Sequence, residues 1–407
     1  MNINIYAIKR ALKKFDRKKL LNEKCVKAQK ALIEKNLDGL ICFKPQNTFY
    51  FSGFNPILYS HPVVVILPVS GSPVLLVHSL RDRHAHDECV LEDIRLFGAW
   101  GKSMPIASDV YTAIAMICSE FKLRKSRLAY EGDFIPVRQY QKLLDSTKAL
   151  DLVDFSDELT YMRLIKDEYD IKLMRLSAYL CNIGMAAAIA NAHRTEIEAS
   201  IAAETAMRQA WCKELSEFEP SSFGNIESGV VNALWAYSMS GHRSVYGCDC
   251  PKKRAPRNGE ICLPVVWSSI NNLQAEIERT VVMGKLSGEY SYAYEAVLEA
   301  QRRALIFAKA GVKVSDLYNV ANSVLVEAGF KEYLQGRIGH GIGMSLHEAP
   351  SLSQDSDQLL EEGMTITIEP GLIFPNWGAI RNSDSVIVRK NGLEVLTGYP
   401  KPERTSV

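Results

Sequence analysis

Four short stretches in the last third of the chain carry side chains that can ligate ions or move protons. Glu276 and Glu278 stand two apart in Glu-Ile-Glu-Arg-Thr. His340 lies within Gly339-His340-Gly341-Ile342-Gly343, His347 precedes Glu348, and Glu369 precedes Pro370-Gly371. Residues two apart on a strand face the same side, so Glu276 and Glu278 put two carboxyl groups on one surface. Such a pair raises each other's proton affinity unless a cation sits between them; a cationic substrate or a single metal ion would relieve that. A histidine between glycines has little room for a packing role. Glu369 sits in an apolar run, where an unpaired carboxylate is expensive to bury. His78, His84, His86 and His193 read as ordinary surface or core residues. Trp235, Trp267 and Trp377 either line the pocket or pack in the core, with core packing favoured, and Arg381 and Asp384 are expected to pair beneath the site.

The elements around these residues divide in two. An amphipathic pattern over 24–37, with Cys25, Ala28 and Leu32 at helical spacing, predicts a helix. Short apolar strands are expected at 40–43, 49–54, 63–67, 74–77, 128–130 and 150–153, with helices near 106–122 and 137–145. Strand–helix alternation of this kind predicts an α/β domain over 1–157. One long helix is expected over 157–193, leading into a second domain, 158–407. That domain has a helix at 195–215, a loop-rich stretch at 218–259, strands at 261–267, 273–283, 364–369, 378–381 and 384–388, and helices near 288–311 and 314–328. The fold class is α+β, with an antiparallel sheet in the second domain.

Bulk properties exclude several classes of function. With 407 residues, 47% of them apolar, and a formal charge of +1, the chain can bury an ordinary core, and nothing favours nucleic acid or an anionic membrane. No apolar run reads as a membrane span, and no secretory segment follows Met1. The basic stretch from Lys9 to Lys19 reads as a surface helix. Nine scattered cysteines, an odd number, fit reduced thiols in a cytoplasm. Cys248-Asp249-Cys250 lacks the second ligand pair of a zinc site.

In order and spacing, these stretches resemble the pita-bread family of creatinase, aminopeptidase P, prolidase and methionine aminopeptidase. Leu37-Asp38-Gly39-Leu40, Tyr50-Phe51-Ser52-Gly53-Phe54 and the linker Met162 to Asp167 extend the likeness over nearly the whole chain. The resemblance implies a creatinase-type N-terminal domain and a C-terminal pita-bread domain with a curved antiparallel sheet. It also implies a homodimer in which the N-terminal domain lies near the partner's active site. The family's peptidases hold two metal ions with two aspartates, a histidine and two glutamates. Here those positions fall on Val265, Glu276, His340, Glu369 and Ser383, and neither valine nor neutral serine serves as an anionic ligand. The expectation is therefore a metal-independent, creatinase-like hydrolase cleaving a C–N bond in a small guanidine, amidine or cyclic amidine, with no cofactor. Glu278 and Glu369 would grip the planar cation. The family's acid–base histidine falls on Cys248, which either acts as nucleophile with His347 nearby or leaves the base role to His242. Tyr59 and His61 take the positions that contact the substrate's other end, and Ser351 falls where the resemblance implies a further arginine. Two alternatives stand beside this: an Xaa-Pro peptidase with one divalent ion on Glu276, His340 and Glu369, and a non-catalytic binding module.

Overall fold

The structure, a computed structural model, describes residues 3–223 and 233–401. These form two compact units. One is Lys14–Arg163 with Phe223; the other comprises the residues up to Lys13, Leu164–Ser222 and the described chain from 233 onward. The division falls at Arg163/Leu164, later than the 157/158 boundary expected from sequence, and the leading helix Ile5–Leu12 belongs with the C-terminal unit.

The N-terminal unit holds strands β1 (Gly39–Cys42), β2 (Val64–Pro68), β3 (Val74–His78), β4 (Asp93–Phe97), β5 (Arg127–Tyr130) and β6 (Asp151–Asp154). They form one mixed sheet in the order β4-β3-β2-β1-β5-β6. The second strand expected at 49–54 is instead the helix Pro45–Ser52. Pro45 occupies its first turn and Gly53 closes it at φ 69°, the pairing that starts and stops helices. Buried Glu131 accepts hydrogen bonds from the Phe43 and Lys44 amides and from Asn47, so the helix start is satisfied from inside the unit. Local aromatic content had pointed to a strand; the two ends decide for a helix.

The C-terminal unit holds β7 (Leu234–Ser240), β8 (Ile261–Ile270), β9 (Leu273–Glu278), β10 (Val281–Val282), β11 (His340–Gly341), β12 (Glu348–Ser351), β13 (Thr365–Ile368), β14 (Gly371–Phe374), β15 (Gly378–Arg381), β16 (Ser383–Arg389) and β17 (Gly392–Val395). Nine of these form one antiparallel, curved sheet in the order β10-β8-β9-β16-β13-β11-β12, with β7 beside β8 and β17 beside β16, while β14 and β15 make a separate hairpin. The stretch expected to be loop-rich contains β7 and the short helix Gly241–Tyr246; its residues 224–232 lie outside the described part. The single helix expected over 157–193 is two, Ser156–Leu164 and Glu168–Ala190, because Asp167 caps the second by accepting from the Asp170 amide. Glu168–Ala190 has the length and apolarity to cross a membrane, yet Leu173, Leu176 and Leu180 are buried in this unit's core. Its Ser177 hydroxyl donates to the Leu273 carbonyl and accepts from the Ile270 amide, pinning the β8–β9 turn.

That turn is Asn271-Asn272, both at positive φ (46° and 67°), the left-handed pair a two-residue hairpin needs. It sets Trp267 opposite Glu276 and Val265 opposite Glu278. At the other side of the sheet, β11 is squeezed between β12 and β13. A Cβ on Gly341 would lie 1.9 Å from the Ala349 carbonyl oxygen, and one on Gly339, at φ 152°, would lie 2.1 Å from that of Thr367. Neither contact is tolerable, so the glycines around His340 are demanded by strand spacing. Gly341→Ala is expected to lower the stability of this unit by about 1–3 kcal/mol, read as a shifted urea midpoint. An unchanged midpoint would mean the strands can part.

Candidate active site

Parity on the sheet decides which side chains meet. Glu276 and Glu278 on β9 share a face with Trp267 and Val265 of β8 and with Ser383, which pairs with Glu278 across β16. His340 on β11 and Glu369, immediately after β13, complete the group. Glu276, His340 and Glu369 are all buried, and one ligand atom from each lies within 4.8 Å of the others.

The histidine's tautomer follows from its contacts. His340 Nδ1 lies 2.9 Å from the Gly341 carbonyl oxygen, which can only accept, so Nδ1 carries the proton. Nε2 then presents a lone pair, and it stands 3.7 Å from Glu276 Oε2 and 3.7 Å from Glu369 Oε1. The His340 Nε2 lone pair and one oxygen each of Glu276 and Glu369 thus converge, and the two carboxyl groups are also hydrogen-bonded to each other. Burial first, then the charge of Glu278, raises the Glu276 carboxyl above the usual range; burial and then Glu276 raise Glu369. Burial, ahead of the opposing pull of Glu369, lowers His340. These shifts favour the neutral forms; a cation would ionise the two carboxyls and keep the imidazole neutral.

Glu276 is also held from behind. The Trp267 indole donates to Oε2 at 2.8 Å and the Ser383 hydroxyl donates to Oε1 at 2.9 Å. Trp267 in turn stacks on Trp235, ring centroids 3.9 Å apart. Of the two readings of Trp267, this bond favours the one that lines the pocket over core packing alone. Counting strand pairs back from Asn271-Asn272 would have found it.

The expected Arg381–Asp384 pair does not form. Asp384 instead takes the fully buried Arg279 at 2.6 Å. Arg381 pairs with Glu278 in two-pronged fashion, Nη2 2.6 Å from Oε1 and Nε on Oε2. Burial raises the Glu278 carboxyl and the guanidinium opposes that rise. The guanidinium that Glu278 grips is therefore the chain's own, and the oxygens expected to take a cationic substrate are engaged.

His347 lies beside the group, its ring centroid 4.3 Å from that of His340. Burial, and then His340, push it down to about 4, so it is neutral at ordinary pH. The adjoining Glu348 forms a buried ion pair with Lys166 and serves the scaffold. His242 stands exposed on the helix Gly241–Tyr246, not in the buried group. Tyr59 and His61 belong to the N-terminal unit, where Tyr59 is buried and His61 stacks on His78 at 3.8 Å. Cys248 is exposed, and partial desolvation, followed by the charge of Glu278, pushes its thiol up to about 11. A nucleophilic cysteine needs the opposite shift, so the structure argues against that role.

Comparison with known proteins identifies the family. Residues 172–390 match the metallopeptidase family M24, and residues 24–165 match the creatinase/prolidase N-terminal domain. An Xaa-Pro dipeptidase of Pyrococcus horikoshii is 27% identical over 378 residues, spanning 93% of this chain and 97% of the relative. A putative dipeptidase of Bacillus subtilis, YkvY, is 31% identical over 274 residues, 67% of this chain and 71% of that protein. The solved Xaa-Pro dipeptidase from Bacillus anthracis superposes with a TM-score of 0.80 at 24% identity, covering 94% of this chain and 99% of that one. The fold is thus that of these enzymes. With Cys248 protonated, its alkylation by iodoacetamide is expected to rise about tenfold per pH unit from pH 7 to pH 10, followed by peptide mass spectrometry. A rate already flat at pH 7 would mean that the thiolate is present there.

Proposed function

We infer that this chain, which belongs to the metallopeptidase family M24, is an Xaa-Pro dipeptidase-type hydrolase that works with a divalent ion held by Glu276, His340 and Glu369. The observation that carries the reading is the convergence of the His340 Nε2 lone pair with two buried carboxyl groups, whose ligand atoms all lie within 4.8 Å of one another. Two carboxylates and a neutral imidazole are a fitting donor set for Mn, Fe or Zn. The Gly341 carbonyl behind Nδ1 and the Trp267 indole behind Glu276 orient the ligands, as outer partners do in metal sites. The dipeptidase names of the relatives point the same way. An amidine-cleaving reading is the weaker one, because Arg381 already fills the Glu278 oxygens.

A divalent ion there would polarise the scissile carbonyl and lower the pKa of a water. The chain's own residues supply the rest. Hydrolysis adds hydroxyl to the carbonyl carbon and a proton to the departing prolyl nitrogen. The Glu369 carboxylate, ionised once a cation is bound, would take the water's proton and return it to that nitrogen. His347, held neutral, can hydrogen-bond the substrate without adding charge.

The purified protein is expected to cleave Xaa-Pro dipeptides but not Xaa-Ala controls, to lose activity on dialysis against a chelator, and to regain it with Mn²⁺. Glu276→Gln and His340→Ala are each expected to lower kcat/KM by more than about a hundredfold and to release the ion. Full activity after chelation, or turnover of guanidine compounds alone, would overturn the reading.

A further inference from the structure

The charges on the buried face point to a role for Arg381 beyond scaffolding. Three carboxylates face the site: Glu276, Glu278 and Glu369. Among the described residues Arg381 is the cation bonded to one of these carboxyl groups, while Arg279, paired with Asp384, acts on Glu278 through its charge. Arg381 grips Glu278 with both prongs, and its charge also acts on Glu369 and Glu276. Its remaining nitrogen, Nη1, faces Gln335 Oε1 at 3.4 Å. Glu278 is flanked across the sheet by Val265 on one side and Ser383 on the other. Valine offers no ligand atom, and the Ser383 hydroxyl is spent on Glu276 Oε1. Of these three sheet neighbours only Glu278 offers carboxylate oxygens for a second ion, and the guanidinium covers them.

From this we infer that Arg381 is a tethered stand-in for a second metal ion: it masks Glu278 as a latent ligand and sets the stoichiometry of the site at one divalent ion per chain. The inference rests on the reading that Glu276, His340 and Glu369 hold that ion. Charge balance agrees with it. Three carboxylates and one guanidinium leave two negative charges, which one divalent ion neutralises. A second such ion would leave the buried group with a net positive charge unless the guanidinium gave way. A tethered fork that bonds both carboxylate oxygens at once is hard to displace. The side chain thus acts through Glu278 as a positioning residue for the ion.

The test is Mn²⁺ stoichiometry on the chelator-stripped full chain, by equilibrium dialysis with elemental analysis, together with Mn²⁺ electron paramagnetic resonance, which distinguishes an isolated ion from a spin-coupled pair. Wild type is expected to bind one equivalent with an uncoupled spectrum. Arg381→Met is expected to bind a second equivalent and show coupling. The double variant Arg381→Met with Glu278→Gln is expected to return to one, and because it leaves no unpaired buried charge it also serves if the single variant does not fold. Two coupled ions in wild type, one ion in folded Arg381→Met, or two in the double variant would each overturn the proposal. Wild type binding no ion would overturn the metal reading beneath it as well. One ion bound without dipeptidase activity would leave this inference standing and remove the peptidase assignment.

Discussion

Everything at this site follows from an imidazole whose proton is fixed on the wrong side to help its neighbours. Because His340 Nδ1 is committed to the Gly341 carbonyl, Nε2 meets Glu276 and Glu369 as a third acceptor. Such a cluster of buried ligand groups is unfavourable without a cation. It persists only because the sheet holds each member from outside: glycines clamp β11 between its neighbours, the hairpin register aims Glu276, and the Glu369 amide donates to the Ile338 carbonyl at 2.8 Å. The scaffold's rigidity is thereby converted into affinity for positive charge.

Around that centre the unit separates its ions into distinct pairs. Arg279 and Asp384, both buried, form one, and Arg279 also donates to the carbonyls of Glu278, Ser383, Thr397 and Tyr399. Lys166 and Glu348 form another. Each removes a carboxylate from competition for a ligand. Arg381 and Glu278 are the pair nearest the centre, and theirs is the one whose partners could be exchanged for something else.

Much of this was legible from residue types and order. Glu276, His340 and Glu369 stood out because glycine or a β-branched run surrounds each, and the antiparallel sheet followed from the short strands late in the chain. What stayed hidden was pairing across strands. Arg381 and Asp384 are close in sequence, so they invited a direct bond, whereas the sheet sends them to Glu278 and Arg279. Cys248 was read through its position in a pattern, but thiol reactivity depends on desolvation and nearby carboxylates, which only three-dimensional placement reveals. In the N-terminal unit, Phe49 to Phe54 looked like a strand because aromatic residues favour strands; Pro45 and Gly53, at the ends, outvoted them. The edge strand β7 escaped notice although Leu234, Ala236 and Ser238 alternate with Trp235 and Tyr237, because large aromatics occupy the face opposite the small residues.

The two-asparagine bend between β8 and β9 carries a consequence for how such a chain can drift over generations. Side chains alternate along β9, so one residue gained or lost there would turn Ala275 and Ile277 toward the ligand cluster and send both glutamates into the helix-covered side. Amino-acid identities nearby can change gradually, but the length of that bend cannot. Homologues of this protein should therefore vary in letters across the hairpin while keeping its count of residues constant.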